Sequence, residues 1–135
     1  MKLACDIGGC ISKYPEQFRW FMISLGVNWE IFVITDMHDK NEVIQMLKDN
    51  NFDIPENHVY CADYAKYGDF CKAKLLQELK IDMFIDDFLG YVTWDSQFGP
   101  APIRLLLMPD AKTPYWHDSW KTKDKSDFGR RKFSS

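Results

Sequence analysis

Short apolar runs alternate along this chain with longer amphipathic stretches. "KLACD" (2–6) is the first run, and its length and bounds suit a strand. "EIFVITD" (30–36) is continuously apolar and rich in β-branched residues, as a strand covered on both faces requires. "HVYCAD" (58–63), "DMFIDD" (82–87) and "IRLLLM" (103–108) read as the third, fourth and fifth strands. Between the first two lies "YPEQFRWFMISLG", in which Pro15 suits a first helical turn and Gly26 a stop. Phe18, Phe21, Met22 and Leu25 recur there at helical spacing. "DKNEVIQMLKDNN" opens with Asp39 and Glu42 in capping-box-like spacing and carries a Val43, Ile44 and Leu47 stripe. "DFCKAKLLQELK" (69–80) predicts a third helix with a Leu75, Leu76 and Leu79 stripe.

Strand–helix–strand alternation with short links implies right-handed crossovers and a parallel sheet. The expected fold class is therefore α/β, a Rossmann-like three-layer sandwich around a five-stranded parallel sheet. Residues 1–109 would form this domain, and 110–135 a C-terminal tail. Ligands of such sheets sit beyond the carboxyl ends of the strands. The residues ending the strands here are Asp6, Thr35 with Asp36, Asp63, and Asp86 with Asp87. Carboxylates gathered at one edge repel one another unless a cation or a proton sits among them.

Composition narrows the classes. A chain of 135 residues fits one domain, and 46% hydrophobic with 27% charged residues is globular rather than disordered. The net charge of −3 rules out a general polyanion binder. The tail differs: residues 110–135 hold seven Lys/Arg against four Asp, a local +3, which leaves −6 over residues 1–109. No stretch approaches the ~20 apolar residues that span a bilayer, and "MKLACDIGG" has no apolar signal core, so a cytoplasmic protein with no membrane partner is expected. Cys5, Cys10, Cys61 and Cys71 then read as reduced thiols, and their spacing fits no standard zinc module.

Four short motifs stand in a meaningful order over residues 1–108: an aspartate after the first strand in "CDIGGC", a threonine ending the second in "FVITD", a lysine opening a later helix in "CKAKLL", and an acidic pair ending the next strand in "FIDD". In this order the sequence resembles the haloacid dehalogenase superfamily, mostly Mg²⁺-dependent phosphatases on a Rossmann-like fold. The resemblance implies that Asp6 is nucleophile and Mg²⁺ ligand and forms an aspartyl-phosphate. Asp86 or Asp87 would complete the metal site, and Thr35 would hydrogen-bond the phosphoryl oxygens. Asp36 and Gly9 would lie against the substrate. The lysine would offset charge in a transition state that asks mainly for positioning and electrostatics. Helical geometry selects Lys72, which lies three and four residues before Leu75 and Leu76, over Lys74, which lies with Glu78.

The departure is in the first motif, where the family pattern is D-x-D-G-T and this chain has Asp6-Ile7-Gly8-Gly9-Cys10. In the family the metal ligand at the third position is a backbone carbonyl, which Gly8 can supply. What is lost is the carboxyl group that serves as general acid and base, typically worth about 10²–10⁴ in rate. His38 and Asp36 are the nearest substitutes in sequence. A substrate with a good leaving group would need no acid, and a chain that only binds Mg²⁺ and phosphate is the alternative.

The 28 residues between Asp6 and Thr35, and the 36 between Thr35 and Lys72, are used up by sheet and helix elements. An uncapped member with an open site is expected, suited to a large phosphorylated substrate or to a second chain acting as lid. The tail, "KTKDKSDFGRRKF" with Trp116 and Trp120, makes nucleic acid a further candidate partner. A phosphoacceptor receiver domain uses similar residues, but with the acidic pair after the first strand, so the order here disfavours it. Asp63 reads as a cap, His58 as structural, and Cys5 as core.

Overall fold

The computed structural model describes residues 1–93 and 102–107. Five strands form one sheet: β1 (Lys2–Cys5), β2 (Glu30–Thr35), β3 (Val59–Cys61), β4 (Met83–Asp86) and β5 (Ile103–Leu106). Their order is β3-β2-β1-β4-β5, and every pairing is parallel. The α/β, Rossmann-like reading is the observed architecture. β1 lies at the centre, with β2 on one side and β4 on the other, so the direction of winding reverses at β1. That reversal is where open parallel sheets leave a crevice.

The pleat divides the core in two. Leu3, Cys5, Val33, Val59 and Ile85 pack on one face with Phe18, Val43 and Leu47 of helices α1 (Pro15–Leu25) and α2 (Lys40–Asp49). Ala4, Phe32, Ile34 and Phe84 pack on the other with Cys71, Ala73 and Leu76 of α4 (Cys71–Glu78). Alternate residues of one strand serve opposite layers, as strand geometry dictates.

The helix boundaries follow local chemistry. Pro15 starts α1, and Gly26, at φ 71°, ends it. Asp39 caps α2, its Oδ1 accepting from the N–H groups of Asn41 (3.0 Å) and Glu42 (3.2 Å). Asn51, at φ 64°, turns the chain away beyond α2. The buried face of α1 is narrower than its sequence stripe suggests. Phe18 is buried and Met22 and Leu25 are half-buried, but Phe21 points outward at 38% exposure. A one-turn helix, α3 (Tyr64–Tyr67), has no apolar period and was not legible in the sequence. Asp63 caps it by accepting from Lys66 N at 3.1 Å, the capping role expected of it. The proposed tail, and the Gly99–Pro100 segment, lie outside the described residues. Among the described residues no helix is long and apolar enough to cross a membrane.

Candidate functional site

Parallel register places the strand ends side by side. Cys5 is level with Val33 on β2 and with Ile85 on β4, so Asp6 emerges beside Asp86. Its N–H donates to the Ile85 carbonyl at 3.0 Å, which fixes it to the edge of β4. Thr35 ends β2 on the opposite flank. Its carbonyl accepts from Ala62 N at 2.6 Å, and its Oγ1 accepts from Met37 N at 3.2 Å, so the hydroxyl proton can be donated elsewhere.

Lys72 closes the group from the first turn of α4. A helical side chain leans toward the N-terminus of its helix, and this one leans over the sheet edge. Its Nζ lies 2.7 Å from Asp6 Oδ1 and 2.7 Å from Asp86 Oδ2. It also lies 4.5 Å from the centroid of the Tyr91 ring. Lys74, by contrast, is half-exposed and meets Tyr67 Oη at 2.8 Å and Glu78 at 3.9 Å. The structure thus brings Asp6, Lys72 and Asp86 together, places Thr35 at the end of the adjacent strand, and leaves Lys74 out.

Asp86 and Asp87 have different surroundings. Asp86 is held by Lys72 on one oxygen and by Phe88 N (2.9 Å) on the other. Asp87 instead lies with Asp6 and Cys10, with potential ligand atoms of all three within 4.8 Å of one another. Gly9 makes room for it: the residue sits at φ 76°, and a Cβ there would collide with the Asp87 carboxylate. The Gly9 N–H donates to Ser12 Oγ at 3.1 Å. Its part in the site is therefore space rather than a donated hydrogen bond. Gly8, at φ −64° and ψ 125°, occupies a backbone conformation open to any residue.

The electrostatics follow from burial. Asp6, Thr35, Lys72 and Asp86 are all 0% exposed and Asp36 is 1% exposed. Burial alone would lower the pKa of Lys72, but Asp6, Asp86 and Asp36 more than reverse that and hold it firmly protonated. Burial, then the nearby Asp6 charge, pushes the Asp86 carboxyl up despite Lys72. Burial, reinforced by Asp6, Asp86 and Asp87, drives the Cys10 thiol far above its ordinary value. Cys10 is thus a neutral thiol here, not an activated nucleophile. The oxygens of Asp6 and Asp87 suit a hard divalent cation such as Mg²⁺, for which a thiol is a poor ligand.

Two features differ from the sequence reading. The site is not open at its charged centre: only Gly9 and Asp87 among its residues reach partial exposure. The second is Tyr91, which sequence reasoning missed. It is 0% exposed, its hydroxyl donates to Asp36 Oδ2 at 3.0 Å, and its ring covers the Lys72 ammonium. Nothing local marks it, since its partners lie 55 and 19 residues away in the chain. Asp36 is therefore already engaged. His38, the other candidate acid, is exposed. His58 stacks on Phe32 at 4.3 Å and bonds the Ile31 carbonyl at 2.9 Å, a structural role. Cys5 is in the core, as alternation required. No cap domain intervenes between Asp6 and Lys72, because helices and strands of the sheet account for the interval.

The chain matches no protein-family model, no curated protein and no solved structure to which it was compared.

Proposed function

We propose that this chain is a Mg²⁺-dependent phosphohydrolase of the haloacid dehalogenase kind, acting through an aspartyl-phosphate on Asp6. The observation that carries this reading is the Lys72 ammonium bridging Asp6 and Asp86 at 2.7 Å each, at the carboxyl edge of three adjacent strands. A structural sheet gains little from a buried triad of this kind, because desolvation offsets much of the Coulombic attraction. A nucleophilic carboxylate beside a fixed cation is what phosphoryl transfer uses.

Asp6 and Asp87, with the Gly8 carbonyl and Asp86 behind them, would hold the ion. Bound Mg²⁺ would supply charge neutralisation at the phosphoryl oxygens. A carboxylate oxygen of Asp6 attacks phosphorus, and the ester oxygen departs with the bonding electron pair. Lys72 offsets negative charge on Asp6 as the phosphoryl group arrives, and the Thr35 hydroxyl donates to a phosphoryl oxygen. Water then cleaves the acyl phosphate, restoring Asp6 and releasing phosphate. No carboxyl group occupies position 8 to protonate a poor leaving group. Substrates whose leaving group departs as an anion, such as acyl phosphates and phosphoanhydrides, are the best suited.

A second reading has its own support. Gly8 in place of the general acid favours a protein that binds Mg²⁺ and phosphate without turning substrate over. One experiment separates the two. Acetyl phosphate and an aryl phosphate are offered with and without Mg²⁺ to wild type, Asp6→Asn and Gly8→Asp. The phosphohydrolase reading expects Mg²⁺-dependent acetyl phosphate cleavage, lost in Asp6→Asn, and a gain on the aryl ester of about 10²-fold or more in Gly8→Asp. Turnover in Asp6→Asn equal to wild type refutes it. Silence in wild type with activity in Gly8→Asp favours the binding protein.

A further inference from the structure

The phosphohydrolase reading gives Tyr91 no task, yet three elements converge on its side chain. It ends the turn Leu89–Tyr91 beyond β4 and is 0% exposed. Its ring lies over Lys72 at the start of α4, with 4.5 Å between centroid and Nζ. Its hydroxyl donates to Asp36 Oδ2 at 3.0 Å, just past the end of β2. Two further rings set its plane. Phe88 meets it edge to face at 4.8 Å and 69°, and Tyr64 of α3 does so at 6.3 Å and 67°. Gly90 admits Phe88 to this group, since a Cβ there would press on the Phe88 ring at 2.6 Å.

Ring and hydroxyl act on the same ammonium by different routes. An ammonium carries three N–H donors. Asp6 and Asp86 take two of them, at 2.7 Å each. Among the described residues no oxygen takes the third, and the electron-rich face of the Tyr91 ring attracts the cation instead. The hydroxyl works through a competitor. Asp36 is a third buried carboxylate, and its charge also acts on Lys72. A lysine ammonium is a point charge on a flexible stem, so a third carboxylate in need of a donor would draw it from its place. The Tyr91 O–H gives Asp36 a donor of its own.

We propose that Tyr91 is a positioning residue of the charged site, whose ring holds the Lys72 ammonium between Asp6 and Asp86 and whose hydroxyl keeps Asp36 from competing for it. Its effect on turnover rests on the phosphohydrolase reading; the placement of the ammonium does not. The division of labour accounts for a tyrosine here. Phenylalanine would supply the ring alone, and leucine neither part. Positioning of this order matters to the reaction, because a misplacement of about 1 Å can cost about 10²-fold in rate.

The test uses the full-length protein with ¹³C,¹⁵N-labelled lysine, as wild type, Tyr91→Phe and Tyr91→Leu, under conditions where urea curves show each to be folded. An aromatic face shifts nearby protons upfield, and a held, buried ammonium exchanges its protons slowly enough to be seen by NMR. Without Mg²⁺, wild type is expected to show both marks at Lys72. Tyr91→Phe should keep the upfield shift of the ε-methylene protons and exchange the Nζ protons about tenfold faster. Tyr91→Leu should lose both marks. Acetyl phosphate turnover with Mg²⁺ is read alongside. Its kcat is expected to fall about tenfold in Tyr91→Phe and about 10²-fold in Tyr91→Leu, with KM within about twofold of wild type, since Lys72 acts on charge that develops in the transition state. Should Tyr91→Leu fail to fold, Tyr91→Phe decides by exchange and kcat alone. Lys72 signals unchanged in Tyr91→Leu overturn the proposal, and unchanged Nζ exchange in Tyr91→Phe overturns the part given to the hydroxyl. If the signals change as expected but wild type cleaves no acetyl phosphate, the placement of the ammonium stands and it is the phosphohydrolase reading that fails. If wild type cleaves it and both variants match its kcat, Tyr91 is structural and the positioning role is overturned.

Discussion

Replacing Lys72 by Met tests the charged centre most directly. Met keeps the length and apolar stem of the side chain and removes the ammonium that contacts Asp6 and Asp86 at 2.7 Å each. Both carboxylates are then left in a site with 0% exposure. Removing one partner of a buried ion pair costs about 3–5 kcal/mol, because the remaining charge stays desolvated. Two carboxylates lose their partner here, so the upper half of that range is expected. At about 2.1 cal/mol/K of unfolding entropy per residue, a chain of 135 residues shifts its Tm by roughly 14 °C for about 4 kcal/mol. Urea and thermal unfolding at pH 7, without divalent metal, are the assays. Lys74→Met, whose contacts face water, should leave the urea midpoint where it was. Where Lys72→Met unfolds outright, combining it with Asp6→Asn and Asp86→Asn should restore most of the loss, since no buried charge then lacks a partner. A Lys72→Met protein within about 1 kcal/mol of wild type, or a triple variant no more stable than the single one, would refute the reasoning.

Gly9→Ala should cost about 1–2 kcal/mol for its left-handed backbone and more for the collision with Asp87, and under the proposed function it should weaken Mg²⁺ binding measured by calorimetry. Gly26→Ala and Gly68→Ala have open space around the Cβ but a backbone conformation close to the one reserved for glycine, so they should show a backbone cost alone, of about 1–3 kcal/mol. Asp39→Ala removes two accepted hydrogen bonds at the start of α2 and should cost about 1 kcal/mol, read as a lowered urea midpoint. The Asp86 carboxyl, raised from 3.8 to about 6 by burial and then by Asp6, binds its proton more tightly folded than unfolded. Its contribution therefore favours the fold in acid and falls away as pH rises from about 4 to about 6. Asp86→Asn should flatten that slope in metal-free unfolding curves, and identical slopes would contradict it.

The parts of this fold that were legible in sequence are those written locally. Val33 and Ile34 inside a continuous apolar run mark a strand buried on both faces, and Asp39 with Glu42 marks a helix start. The position of Lys72 relative to Leu76 identified it as inward-facing before its partners were visible. Phe21 was misjudged because spacing alone does not show how wide a stripe the sheet covers. Tyr91, and the separate surroundings of Asp86 and Asp87, were not legible at all. They depend on how a turn after β4 folds back over residues far away in sequence, and no local period records that.

The strand order also shapes how the chain comes together. β1 is the first strand made and the middle strand of the finished sheet. Its β2 edge is satisfied early, but its other edge pairs with β4, where Leu3 meets Met83, 80 residues later. At synthesis rates of about 5–20 residues per second, that edge waits about 4–16 s on the ribosome. During that interval Leu3, Ala4 and Cys5 present unpaired backbone and apolar side chains, the kind of edge that recruits foreign strands. The carboxylates of Asp6 and Asp86, and the lysine between them, meet only when this last gap closes. A nascent chain of this topology therefore has its greatest need of chaperone cover before residue 83 emerges, while its central strand is still half-paired.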